Sequence, residues 1–260
     1  MPAERTGSGD PERTIDLLWR DPASQQRRRG PRPRLELAGI RAVAVQLADA
    51  EGLPAVTMRN LATRLGLSSP MALYTYVPGK GELIDLMVDT CFADFSLDPA
   101  AARPRIADRI RAVADANRAL YEQHPWLAEV STDRPPLGPG QLRKYELELA
   151  ALEGLNLSDR EMDLTLGLVI AFVRAHAMSV AAPASSSDEA AWWAIAGPAL
   201  ARHVDAKDFP LASRVGTAAG EQQGRAHDPE LAYTFGLERI ADGVQALRDR
   251  DREGRSAHVR

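Results

Sequence analysis

Leu37, Ile40, Val43, Ala44, Leu47 and Ala48 recur at intervals of three and four, and the same interval governs the chain from Leu35 nearly to its end. An apolar residue that returns at this spacing lines one face of an α-helix, whereas a half-buried strand needs alternation by two. Ala and Leu dominate, β-branched alternation is absent, and no segment reads as a strand. The fold class that follows is all-α.

Punctuation divides the pattern. The first helix, "LELAGIRAVAVQLADAEG", stops at Gly52. A second starts at Thr57, whose hydroxyl suits an N-cap, and runs "MRNLATRL" to Gly66. A third opens in "SSP", with Ser68 or Ser69 capping and Pro70 at the first helical position, where its missing N–H is no loss. It stops at Pro78-Gly79. A fourth follows "GKGE" with Leu83, Ile84, Leu86, Met87, Cys91 and Phe92 inward. Beyond Asp98-Pro99 the helices lengthen: "PRIADRIRAVADANRALYEQH", "GPGQLRKYELELAALEGL", then "SDREMDLTLGLVIAFVRAHAMSVAA", which opens on a Ser158/Glu161 capping box. After "PASSS" come "DEAAWWAIAGPALARHV", a poorly patterned stretch from Asp205 to Asp228, and a last helix, "DPELAYTFGLERIADGVQALRDRD". Residues 1–33 are polar and rich in Gly and Pro, and read as a mobile basic tail. The expected organisation is that tail, a small helical head over 34–95, and a helical body over 96–260.

Charge separates head from body. The chain of 260 residues has a formal net charge of −4, yet residues 21–80 hold nine Arg/Lys against four Asp/Glu. A basic head on an acidic body suggests that the head meets a polyanion. The single cysteine, Cys91, excludes an intramolecular disulfide and a thiolate metal cluster, and reads as a core residue. No apolar leader opens the chain, and the longest apolar stretch, Leu164 to Val180, is interrupted by Arg174 and His176. The expected compartment is the cytoplasm, with no membrane span and no cofactor or metal motif.

Ala62 and Gly66 lie four apart. The small Ala lets a following helix cross closely, and Gly takes a positive-φ turn. This is the signature of a helix-turn-helix, whose second helix enters the DNA major groove. Ser68, Ser69, Tyr74, Thr75 and Tyr76 are donors suited to phosphates and base edges, and Lys80 follows as a point charge. The "RRRGPRPR" run, with Arg28 and Arg29, reads either as a solvated tail or as an arm that tracks phosphates or enters the minor groove.

In "VTMRNLATRLGL" followed by "LYTYVPGKGEL" the chain resembles the TetR family of bacterial transcriptional repressors. "HPWLAEV", "RPPLGPG" and "FGLERIADGVQAL" resemble the C-terminal domain of its tetracycline-repressor branch, so the resemblance covers most of residues 27–250. It implies that Arg59 reaches a base, that Thr57 and Lys80 hold phosphates, and that Pro70, Met71, Tyr74, Thr75 and Tyr76 lie on the recognition helix. "GLSSPMALY" is one residue longer than the commoner family spacing. The register of Ser68 to Ala72 on DNA is therefore open.

One such head reads few base pairs, so two copies about one helical turn apart, ~34 Å, are expected. The apolar helix through Leu166, Ile170 and Val173 and the final helix through Leu237, Ile240, Val244 and Leu247, with Gly236 and Gly243 allowing close approach, are the expected four-helix homodimer interface. A bundle of this kind can hold a small-molecule effector in an apolar cavity with a few polar groups. Candidate lining residues are Asn117, Tyr121, His124, Trp126, Tyr145, Arg174, His176, Trp192 and Trp193. Each also has a structural reading: aromatic residues at helical spacing fill cores, histidines satisfy buried partners, and Arg174 suits an ion pair with Glu146 or Asp163.

The reading that unites these features is a repressor dimer that binds double-stranded operator DNA and is released by an effector. An alternative is a DNA-binding dimer without an effector. A helical enzyme using Glu146, Arg174 and His176 lacks any nucleophile-elbow, phosphate-loop or paired His-Glu metal motif.

Overall fold

Helix ends fall where the backbone finds a substitute hydrogen-bond partner. The computed structural model describes residues 4–20, 35–98, 105–181, 186–223 and 228–257. Helix α1 spans Pro11–Leu18, α2 Leu37–Glu51, α3 Met58–Arg64, α4 Met71–Tyr74 and α5 Lys80–Ala93. The longer elements are α6 Ile106–Gln123, α7 Pro139–Leu152, α8 Asp159–Val180, α9 Ser186–Ala201, α10 Pro210–Gln223 and α11 Pro229–Ala257, with 3-10 turns at Leu53–Ala55 and Pro125–Ala128. No strand occurs among the described residues. The protein is all-α.

Two of the expected caps form, while Pro70, expected at the first helical position, is itself the residue before α4 and gives it no side-chain cap. Thr57 Oγ1 accepts from Asn60 N–H, and Ser158 and Glu161 form the reciprocal capping box at the start of α8. Each such cap is worth about 1 kcal/mol because it satisfies an amide that the helix cannot. Gly52, at φ +80°, ends α2.

Two apolar clusters organise the chain. The first joins α1 to α5 through Leu17, Ile40, Leu61, Leu73, Leu83, Leu86 and Met87, and extends to Leu120, Trp126, Leu127 and Val130. The second unites α6, α7, α8 and α11 through Ile110, Val113, Leu152, Val169, Val173, Leu237 and Val244. Each fully buried Leu or Ile contributes about 1.5–3 kcal/mol. Residues beyond the expected head boundary at 95 thus complete the head's own core. Helix α8 is long and apolar enough to cross a membrane by composition, but Leu166, Val169 and Val173 bury one of its faces in the second cluster.

Three expectations are corrected. Residues 4–20 are not a mobile tail: Asp10 caps α1 by accepting from Arg13 N–H, and Leu17 and Leu18 are only 3% exposed. A short helix anchored by two leucines leaves little trace in a polar stretch. The unpatterned region after Asp205 contains α10, whose Leu211 and Val215 are exposed. Helix α5 is buried on more than one side, carrying Glu82, Asp85 and Asp89 inward as well as its apolar residues.

Two of those acids, Asp85 and Asp89, are held by backbone amides. Asp85 Oδ1 accepts from Gly7 N–H at 2.9 Å, and Asp89 Oδ1 from Gln141 N–H at 2.9 Å. A Cβ on Gly138 would collide with the Asp89 carboxylate and one on Gly140 with the Asp89 carbonyl oxygen, so the start of α7 lies directly on α5. Burial pushes the Asp85 carboxyl up to about 6, against the Gly7 hydrogen bond and with the help of Glu82 and Asp89. A carboxyl raised on folding keeps a proton that the unfolded chain releases. Its unfavourable contribution therefore grows as pH climbs from about 4 through 6. Asp85→Asn keeps an acceptor for Gly7 and removes the charge. It is expected to stabilise the protein to urea at pH 7.5 by roughly 1–2 kcal/mol, allowing for solvent screening, with little effect at pH 4. Equal effects at both pH values would contradict the ionisation argument.

Candidate nucleic-acid interface and its tie to the body

The turn between α3 and α4 is closed by two reversed hydrogen bonds. Leu67 N–H donates to Ala62 O at 2.9 Å and Gly66 N–H to Thr63 O at 3.1 Å, the pairing of a Schellman motif. Gly66 sits at φ +69° with open space where a Cβ would lie, so backbone conformation rather than crowding requires glycine. Ala62 is 2% exposed beneath the crossing. Ser69 Oγ then accepts from Met71 N–H at 3.2 Å, and α4 makes a single turn. Leu73 and Val77 are fully buried and pin that turn to the head.

What remains outside is a compact polar and apolar face. Met71 is 69% and Tyr74 40% exposed, and Arg59, Asn60, Thr63, Ser68, Ala72 and Thr75 are exposed beside them. Arg59 has no ion-pair partner among the described residues, whereas the neighbouring Arg64 is paired with Glu51. Pro70 is half-buried at the start of α4. Not every residue expected on this face is free. Tyr76 is half-buried against the head's core, because the chain folds back after α4 and Tyr76 N–H donates to Leu73 O. The Thr57 hydroxyl is used as a cap. Lys80 Nζ lies 2.6 Å from Glu4 Oε1. Arg28 and Arg29 lie outside the described residues.

Besides Asp89, a second carboxylate of the head holds the body. Asp49, near the end of α2, presents Oδ1 to both His124 Nδ1 and Trp126 Nε1, each at 2.8 Å. His124 and Trp126 follow α6 and are 7% and 2% exposed. Next to them Arg174 of α8 donates Nε to Ala128 O at 2.9 Å. Tyr121, packed against both apolar clusters, has its hydroxyl pushed up to about 12 by burial, with Arg174 opposing and Glu148 assisting. Asn117 donates to Glu148 Oε1 at 2.7 Å, Lys144 to the same oxygen at 2.5 Å, and the Lys144 ammonium lies over the rings of Phe92 and Phe95. Asn117 Oδ1 is buried with no hydrogen-bond partner among the described residues.

Five candidate lining residues thus gather at the junction of the clusters: Asn117, Tyr121, His124, Trp126 and Arg174. The other four do not. Tyr145 donates to Asp163 at the surface. His176 packs on Tyr233, ring centroids 4.5 Å apart, and burial lowers its pKa while Glu230 opposes. Trp192 is exposed on α9, and the Trp193 ring lies where a Cβ on Gly197 or Gly220 would meet it. Lys144 and Glu148 were absent from the sequence expectation. Their i,i+4 spacing was the available signal, but it ordinarily marks a solvated face.

A groove of about 460 Å³ runs between α8 and α11, lined by Leu164, Thr165, Leu168, Ile240, Gly243 and Leu247 among others. The expected interface is corrected in register. Leu166, Val173, Leu237 and Val244 face the chain's own core, while Ile170, Ile240 and Leu247 are partly exposed. Because α8 is apolar around most of its circumference, hydropathy did not distinguish its inward face from its outward one.

Asp49→Ala would leave two buried donors without an acceptor. We expect a loss of about 2–4 kcal/mol in urea unfolding, whereas Asp49→Asn, which keeps an acceptor oxygen, should lose less. Equal losses would show that the shared acceptor is unimportant.

Residues 99–248 match the family model of the tetracyclin repressor-like C-terminal domain. The HTH-type transcriptional repressor DrrR1 of Streptomyces coeruleorubidus is 35% identical over 251 residues, covering 94% of this chain and 89% of that one. An HTH-type transcriptional regulator of Saccharopolyspora erythraea is 30% identical over 231 residues, covering 88% and 91%. The crystal structure of ActR of Streptomyces coelicolor in complex with actinorhodin superposes with a TM-score of 0.66 at 26% identity, covering 84% of this chain and 99% of that one. With its helix-turn-helix head, all-helical body and these relatives, the chain belongs to the TetR family of transcriptional regulators.

Proposed function

We propose that this protein is a cytoplasmic repressor that binds operator DNA as a homodimer and is released by a small molecule held in its body. The observation that carries the reading is the exposed face of α3 and α4, where Arg59, Ser68, Met71, Tyr74 and Thr75 stand outward over the sealed crossing of Leu61, Ala62 and Leu73. Arg59 reads a base edge, Ser68, Ser69 and Thr75 position the turn on phosphates, and Lys80 supplies a further phosphate contact. Thr57 Oγ1, engaged as a cap acceptor, can still donate its proton to a phosphate oxygen.

Two heads need a fixed separation. The outward stripe of α8 (Leu164, Gly167, Leu168, Ala171, Ala175, Met178) and that of α11 (Ile240, Gly243, Leu247) are exposed or partly exposed, and suit packing against their symmetry mates. Selection from random-sequence duplexes should enrich an inverted repeat with half-site centres about 10 bp apart or a multiple. Failure to enrich any sequence would end the reading. Arg59→Ala should cost about 1–3 kcal/mol on that duplex and relax preference at one position per half-site. Leu164→Glu with Leu168→Glu should give monomers in sedimentation and abolish high-affinity binding; an unchanged dimer would remove this surface from the interface.

For the effector, the support is the polar group at the junction: Asn117 with an unpartnered buried oxygen, Tyr121, and Arg174 beside Trp126. These residues adjoin the Asp49 tie, so a ligand seated among them would bear on the segment that orients α2. Release requires that the ligand favour one head spacing over the other, since equal affinity for both shifts nothing. The ActR complex with actinorhodin supports a ligand of small-molecule size. A bound duplex that no member of a metabolite library displaces would leave a DNA-binding dimer without an effector.

A further inference from the structure

The chain ahead of α2 crosses from body to head. Ser131 N–H donates to Glu4 O at 2.9 Å and Thr6 N–H to Ser131 O at 3.0 Å. The buried Thr6 hydroxyl donates to Arg134 O at 2.5 Å. Gly7 N–H then reaches Asp85 of α5. A Cβ on Gly9 would meet the Glu82 carboxylate at 2.6 Å and one on Gly81 would meet Ser8 Oγ at 2.6 Å, so this segment runs in close contact with the first turn of α5. Helix α1 completes the crossing. Arg41 Nη2 donates to Leu17 O at 2.9 Å, and Trp19 Nε1 donates to Leu137 O at 2.7 Å.

This path delivers Glu4 to Lys80. Its backbone is fixed by the pairing with Ser131, and its carboxylate meets the ammonium at the N-terminal end of α5, with both side chains about one-third exposed. We infer that Glu4 is an intramolecular competitor for DNA phosphate at Lys80, and that the seated strap of residues 4–9 lowers operator affinity. The inference rests on the proposed reading in which Lys80 contacts phosphate. A carboxylate and a phosphate offer an ammonium the same kind of anionic acceptor, and a phosphate that approaches Lys80 meets the repelling charge of the Glu4 carboxylate 2.6 Å from Nζ. An exposed ion pair is a weak lock, equivalent to a factor of roughly 1.5 to 5 per site. Two heads on one operator multiply the factor, so the restraint on a dimer is about 2- to 25-fold. Because the strap is anchored at Ser131 and Arg134 in the body, any movement of that loop relative to α5 changes how well Glu4 reaches Lys80.

The test uses full-length protein and the duplex recovered by selection, with affinity measured by fluorescence anisotropy at two salt concentrations. Wild type is compared with Glu4→Gln, Lys80→Gln and the double variant, each checked for an unchanged urea midpoint. Glu4→Gln should tighten binding about 2- to 25-fold. Lys80→Gln should weaken it and flatten the salt dependence, and adding Glu4→Gln to Lys80→Gln should restore nothing. If Glu4→Gln gives no gain while wild type still binds the duplex, the competitor role is overturned and the regulator reading stands. An equal gain in both backgrounds would reduce Glu4 to a distant charge and also overturn the role. Lys80→Gln without effect would remove the phosphate contact on which the role depends. If wild type selects no duplex at all, the functional reading fails and takes the strap's role with it.

Discussion

Where head meets body, one carboxylate oxygen holds two buried donors at once. Asp49 Oδ1 accepts from an imidazole and an indole that are both withdrawn from water, and neither donor has a comparable alternative partner once it is buried. Hydrogen bonds of this kind contribute modestly when made and cost more when broken, since each orphaned donor forfeits its hydration. The bond therefore fixes an orientation more firmly than its net energy suggests. Trp126 also fills the first apolar cluster, so the body's residues are part of the head's interior. Head and body meet as one packed solid along this line, and a displacement of the segment after α6 is felt by α2 directly.

Most of the head was legible because its signals are local. Thr57 and Gly66, like Ser158 in the body, act through hydrogen bonds to residues a few positions away, and their chemistry can be read from short strings. The crossing of α3 and α4 was legible for the same reason. The placement of Tyr76 and Lys80 was not, since one depends on the chain folding back after α4 and the other on a partner 76 positions earlier in the chain. The acids of α5 show the limit most clearly. Asp85 and Asp89 are charged residues on a helix, and they are buried where Gly7 and the first turn of α7, brought close by Gly138 and Gly140, supply backbone amides.

The residues offered as an effector pocket share their types but not their place. Polar and aromatic residues on long helices were a fair list of candidates, but periodicity says nothing about which face of α6 meets which face of α8. Five converge on the junction and four are spent elsewhere, on Asp163, Tyr233 and the α9–α10 pair. The buried pair Lys144–Glu148 was hidden by its own spacing. The same i,i+4 pattern serves a wet surface and a dry core, and only the neighbouring Phe92 and Phe95 reveal which applies.

The one-turn length of α4 has a consequence for how this regulator can change. A helix of four residues does not hold itself together in water, and its shape is imposed by Leu73 and Val77 beneath it. Met71, Ala72, Tyr74 and Thr75 on its outer side therefore carry little structural duty. Those positions are free to vary with almost no penalty in folding, so if this face meets DNA as proposed, substitution there redraws the preferred sequence and leaves the scaffold as it is.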